Sequence, residues 1–165
     1  MDTVDFSGVC HETLQFLQEF IDSVHLNLTV TAISETEFEA LVRDSRSSLN
    51  WRGYFSYYLS VQSFHIAFKI TGSGIVDGAM LAVYSTSHKE LHLLLLESLI
   101  HHQQHHPLKG RLTVLTIIAA TFLLSLIDDS KGAWIVEPAP WLIDHYKRFG
   151  FTLYPGGKNV MYATT

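Results

Sequence analysis

Two groups of residues in this chain have types and spacings that could do chemistry. The first is HHQQHHPLKGR, residues 101–111, with four histidines in six positions followed by Pro107, Lys109, Gly110 and Arg111. Neutral imidazoles at such spacings offer several ligand pairs for zinc or nickel. Adjacent His-His pairs point apart in extended chain, however, and no carboxylate lies inside the loop, so it reads as a solvated polar loop and no metal site is expected. The loop runs into an apolar helix from Leu112. Unpaired backbone amides at a helix start, with the positive end of its dipole, make a ready anion site. The second group centres on Glu97, which interrupts the apolar run LLLLESLI. It lies either beside a ligand or at a strand edge facing water, and an apolar cleft makes a carboxylate more basic. The aromatic run NWRGYFSYYLS, residues 50–60, is dense enough to line a pocket, although aromatics also serve simply as core.

The elements that must position these residues follow from composition and pattern. At 165 residues, 47% hydrophobic and 16% charged, the chain can bury one well-formed core, so residues 1–165 read as a single domain. A net charge of -5 argues against a general nucleic-acid binder, which needs a basic face. Cys10 is the single cysteine, which excludes an intramolecular disulfide and a Cys-based zinc site and suits a reducing cytoplasm. The opening MDTVDFSGVC lacks a basic segment followed by an apolar core, so it does not read as a signal peptide, and the expected location is cytoplasmic. LTVLTIIAATFLLSLI, residues 112–127, is almost wholly apolar. It falls short of the roughly 20 residues that cross a bilayer. It reads as a buried core helix, and no membrane partner is expected.

Leu14, Leu17, Ile21 and Val24 recur at helical spacing and predict an amphipathic helix within residues 1–25. LNLTVTAIS, residues 26–34, alternates as a strand. Ser34 and Glu37 then form a capping box for a helix that buries Phe38, Leu41 and Val42. SFHIAFKI, IVDGAMLAVYS and ELHLLLLESLI read as three strands parted by turn residues, the last apolar on both faces and hence central. After the apolar helix come the strand AWIVEP and a helix from Pro140 that carries Leu142, Ile143, Tyr146 and Phe149 inward and is capped by Gly150. Two strand pieces around Pro155-Gly156-Gly157 end the chain.

This order resembles the GNAT superfamily of acyl-CoA-dependent N-acyltransferases over nearly the whole chain after the first helix. Two motifs carry the resemblance. YKRFGF, Tyr146 to Phe151, matches the family's Tyr-x-x-x-Gly-Phe at the end of its last helix. The 101–111 loop occupies the place of the family's pyrophosphate-binding turn, Q/R-x-x-G-x-G/A, either with Lys109 at its first position or, in an alternative register, with Gly110 as its first glycine and Pro107 at the first position. The resemblance implies an α/β (α+β) fold, a mixed, mostly antiparallel twisted sheet with helices on both faces and an extra N-terminal helix. It implies an N-acetyltransferase that moves an acetyl group from acetyl-CoA to a primary amine by direct attack in a ternary complex.

Tyr146 stands where the family often has its acid, and is equally a core tyrosine on an apolar stripe. Glu97 is then the base, with Glu137 in reserve. Backbone amides near Leu99 and Ile100 would polarise the thioester carbonyl, and Lys109, Gly110, Arg111, Leu112, Thr113 and Val114 would hold the CoA pyrophosphate. Trp51, Tyr54 and Tyr57 are the candidate contacts for the acceptor, a small-molecule or peptide amine. The sequence departs from the family at Leu112 and Val114, which replace its two glycines, where a side chain can block the approach of phosphate. The alternative is therefore a catalytically degenerate domain acting as a binding or interaction module, its first helix or exposed aromatics contacting a partner or, as a homodimer, a second copy.

Overall fold

Asp5 starts the chain's first helix, α1 (Phe6–Ser23), its side chain accepting from the Gly8 amide at 3.2 Å. The computed structural model describes residues 5–101, 103–138, 140–155 and 160–164. Helix α1 buries Phe6, Val9, Thr13, Leu17 and Ile21 along one stripe. Thr13 takes a core position because its hydroxyl donates to the Val9 carbonyl at 2.8 Å, so no polar atom is left unpaired. Val24, expected on the stripe, is 46% exposed because the helix has already ended at Ser23. Gln18 straps α1 to the first strand, β1 (Leu28–Thr31): its amide donates to the Leu28 carbonyl and accepts from the Val30 amide, both at 2.9 Å.

Helix α2 (Glu35–Arg43) has the capping box that Ser34 and Glu37 predict, and its Phe38 and Leu41 are buried. The aromatic run forms a 3-10 turn, Arg52–Tyr54, and the one-turn helix α3 (Phe55–Tyr58). Phe38 gathers this segment, its ring centroid 5.8 Å from Trp51, 5.4 Å from Phe55 and 4.6 Å from Tyr58.

The remaining elements are β2 (Ser63–Ile70), β3 (Gly78–Ser85), β4 (Glu90–Ser98), α4 (Leu112–Ser125), β5 (Gly132–Val136), α5 (Ile143–Lys147), β6 (Thr152–Leu153) and β7 (Val160–Thr164). They complete a seven-stranded sheet in the order β1-β2-β3-β4-β5-β7-β6, antiparallel throughout except where β4 lies parallel to β5. Two apolar clusters cover its faces. One joins α1 and α4 to Met80, Ala82 and Tyr84 of β3, and the other joins α2 and the aromatic segment to Ala79 and Leu81. The period-two alternation of β3 thus feeds both cores.

Helix α4 carries seven buried residues and is apolar all round, as an element between a sheet and another helix must be. Among the described residues no helix is long and apolar enough to cross a membrane. Gly150, at φ +92°, terminates α5 in the left-handed conformation, with its amide bonded to the Lys147 carbonyl at 3.1 Å. The turn expected at Pro155-Gly156-Gly157 involves residues outside those described.

Candidate active site

Strand β4 pairs with β5 only from Glu90 to Leu93, opposite Gly132 to Ile135, and then runs on alone to Ser98. A β-bulge lies at the parting: Leu81 pairs with Leu95 and Ala82 with Leu93, leaving Leu94 as the extra residue. The bulge changes which face each side chain takes. Leu91 and Leu93 belong to the α1/α4 core, whereas Leu95 and Leu99 belong to the α2 core.

A cleft of about 560 Å³ opens where the strands separate, lined by β4 from Leu93, by the end of β5 and by α5. Strand residues turn their amides alternately to either side. The Leu99 amide bonds the Asp77 carbonyl on the β3 side at 2.9 Å, so Leu96 and Ser98 turn theirs toward the vacated β5 side. Leu99, expected to offer its amide to a carbonyl, therefore has it committed elsewhere. Leu99 and Ile100 are 1% and 3% exposed.

The two carboxylates of the cleft have opposite surroundings. Glu97 is buried and accepts from Ser47 Oγ (2.6 Å), Trp51 Nε1 (2.9 Å), the Ser48 amide (2.7 Å) and Ser48 Oγ (3.2 Å). These bonds fill the lone pairs of both oxygens. Glu137 follows β5, lies on the exposed rim of the cleft and holds a backbone φ of +51°, uncommon for a residue with a side chain. Of the aromatics expected at a ligand, Trp51 is 1% exposed in the α2 core and holds Glu97, and Tyr57 is 49% exposed outside the cleft lining. Tyr54 does line it, and burial first, then the Glu137 charge, raises its phenol pKa.

Tyr146 is 4% exposed overall yet borders the cleft, and its hydroxyl has no hydrogen-bond partner among the described residues. Burial raises its pKa, which keeps the phenol protonated. Beside it, His145 Nε2 lies 3.0 Å from Thr113 Oγ1 and ties α5 to the first turn of α4.

The histidine loop is held from within. His106 is buried, with Nε2 2.8 Å from Asp77 Oδ2 and Nδ1 accepting from the Leu108 amide at 3.0 Å. Asp77 also pairs with Arg46 at 2.9 Å, and His101 Nε2 reaches the Arg46 carbonyl at 2.6 Å. His102 lies outside the described residues, among which no group of three His, Cys, Asp or Glu residues is placed to hold a metal ion.

Gly110 adopts φ +71° at the approach to α4. Arg111 occupies the N-cap without a side-chain bond to the helix amides. Lys109 and Arg111 bond the loop's own carbonyls, at His101 (3.5 Å) and Pro107 (2.8 Å). Leu112, feared as an obstacle to phosphate, is buried: a Cβ built on Gly78 would lie 3.4 Å from Leu112 Cδ1 and 2.5 Å from Leu108 Cδ2. Leu108 thus fills most of the space above that glycine, and Leu112 packs beside it in the α1/α4 core. Val114 packs half-buried against the α1/α4 core.

Sequence patterning missed Leu96, Ser98, Ser47, Ser48, Trp141 and the Arg46-Asp77-His106 network. Of these, Trp141, an aromatic directly after Pro140, and His106, within the histidine cluster, carried a local signal.

No protein-family model matches the sequence, and no curated protein matches it significantly. Solved structures match the fold. A chimera of the Vibrio cholerae spermidine N-acetyltransferase SpeG and hSSAT aligns over 84% of this chain and 95% of its own, at TM-score 0.58 and 13% identity. The PaiA N-acetyltransferase of Thermoplasma acidophilum, solved with coenzyme A, aligns over 84% and 99%, at TM-score 0.57 and 11% identity. Ard1 of Thermoplasma volcanium aligns over 84% and 98%, at TM-score 0.58 and 15% identity. Bulged and splayed at β4, closed by a tyrosine-bearing helix and matched across most of its length, this chain has the fold of the GNAT N-acetyltransferases.

Proposed function

We propose that the chain is an N-acyltransferase that moves an acetyl group from acetyl-CoA to a primary amine by direct attack in a ternary complex. The observation that carries this is the cleft itself, where β4 leaves β5 and the Tyr146 hydroxyl and the Glu137 carboxylate border one opening. The residues at its edge suit the acyl donor. The first-turn amides of α4, at Leu112, Thr113 and Val114, meet no side-chain cap, so they and the helix dipole can receive a pyrophosphate. Leu112 is buried and Val114 half-buried against the α1/α4 core, which supports reading the helix entrance as a phosphate site despite the two missing glycines.

Acetyl-CoA supplies a thioester, an acyl carbon open to attack joined to a thiolate that can leave. The chain's own groups do the rest. Glu137 takes the proton of the incoming ammonium and frees its nitrogen lone pair for attack. The amides of Leu96 and Ser98 donate to the carbonyl oxygen as it gains charge. Tyr146 gives its proton to the sulfur as the carbon–sulfur bond breaks, a role its burial favours, and the phenolate is reprotonated by the second proton that the acylated nitrogen sheds as it becomes an amide. Glu97 positions: with its lone pairs filled, it fixes residues 47–51 against β4. The base role first read for Glu97 passes to Glu137 on that ground.

Thermal unfolding with acetyl-CoA tests the function. A ligand at 100 times its dissociation constant stabilises by about 2.7 kcal/mol. In a chain of this size that raises Tm by about 5–10 °C. An unchanged Tm and no calorimetric heat with acetyl-CoA would sink the proposal.

A further inference from the structure

The polar lining of the cleft is one-sided in charge, and we propose that the acceptor is a cationic primary amine on an aromatic body, without a carboxylate beside its nitrogen, selected by Glu137, Tyr54 and Trp141. The inference deepens the acyl-transfer proposal and rests on it. Among the described residues the lining holds two carboxylates, Glu97 and Glu137, and neither lysine nor arginine. Glu97 accepts from Ser47, Ser48 and Trp51, all neutral, and forms no ion pair among the described residues. The nearby guanidinium of Arg46 is occupied by Asp44 and Asp77, at 2.9 Å each. The basic ring of the lining, His101, rests its Nε2 on the Arg46 carbonyl. Leucine and isoleucine walls from Leu93 to Leu96 and at Ile135 focus the resulting negative field. An ammonium is drawn in, and an anion carried next to it is repelled.

The body of the ligand is read by rings. Trp141 stands 81% exposed on the cleft lip, so its indole face is open to a ligand entering the cleft. Tyr54 faces the same space, close enough to Glu137 to feel its charge. Together they offer faces to an aromatic ring and to the cation beside it.

The test is a fluorescence titration of the full chain, with and without CoA, using phenethylamine, its carboxylated twin phenylalanine, hexylamine and 1,4-diaminobutane. Phenethylamine should bind at least about tenfold more tightly than phenylalanine, the scale of one like-charge contact. Glu137→Gln should shrink that ratio to about threefold or less, and Glu137→Lys should reverse it. Trp141→Ala should weaken phenethylamine more than hexylamine. Equal affinity for the twins, tighter binding of the diamine, or no binding of any amine in either condition would overturn the inference. The two proposals fail separately. Acetyl transfer to phenylalanine as fast as to phenethylamine removes the selection and keeps the enzyme. A preference for phenethylamine in a chain that neither binds nor turns over acetyl-CoA does the reverse.

Discussion

The wall of the cleft built from β4 and the loops against it is cross-linked by polar side chains, whereas the facing wall, from Val136 to Tyr146, is held among the described residues by backbone bonds, apolar packing and one side-chain bond, from His145 to Thr113. On the first wall Glu97 gathers Ser47, Ser48 and Trp51, and Arg46, Asp77 and His106 join the 101–111 loop to β3. On the second, α5 spans five residues, too few to be stable alone. There Glu137 and the Tyr146 hydroxyl have no hydrogen-bond partner among the described residues. A polar group committed to the scaffold has no lone pair or proton left for a ligand. The first wall therefore sets geometry, and the second keeps its chemistry available.

The sharpest way to break this contrast is Glu137→Gln. Removing the base should lower turnover about 10³-fold near neutral pH. The Tm should stay at the wild-type value, since no described residue bonds that carboxylate. The rate should recover as pH rises toward the pKa of the amine, because the acceptor then loses its proton to solvent. A loss below about threefold would show that the base lies elsewhere.

Glu97→Ala should act in the opposite manner, costing about 2 kcal/mol of stability in urea unfolding because the buried Trp51 indole is left unpaired and residues 47–51 lose their tie to β4. Full stability with activity abolished would return Glu97 to the chemistry. Tyr146→Phe removes one unbonded hydroxyl, so it should lower kcat about 10²-fold, leave the KM for acetyl-CoA nearly unchanged and melt with the wild type. Gly110→Val places a β-branched residue at φ +71°. Its affinity for acetyl-CoA by calorimetry should fall about tenfold, the smallest of these effects.

Features of the fold governed by neighbours in sequence were legible. The Ser34–Glu37 capping box, the Gly150 terminator and the apolar α4 each follow from residues a few positions apart, and each is present. Contacts made across the fold were not. Glu97 meets Ser47, Ser48 and Trp51 from 46 to 50 positions away, and no local pattern announces it. The packing of the loop was equally hidden, since the absence of a side chain at Gly78 is what makes room for Leu108. The amides facing the cleft could not be numbered because alternation through LLLL looks the same with or without a bulge.

That bulge has a bearing on how β4 finds its place. Leu93 to Leu96 are four identical side chains, so sliding the strand by one position exchanges leucine for leucine and changes the burial energy little. The first residue able to tell the alignments apart is Glu97, whose carboxylate meets its donors in one phase of the strand and in the other would enter the opposite core unpaired. Glu97 thus serves as a registration mark on an otherwise repetitive ribbon, and it fixes the position of the bulge from three residues away.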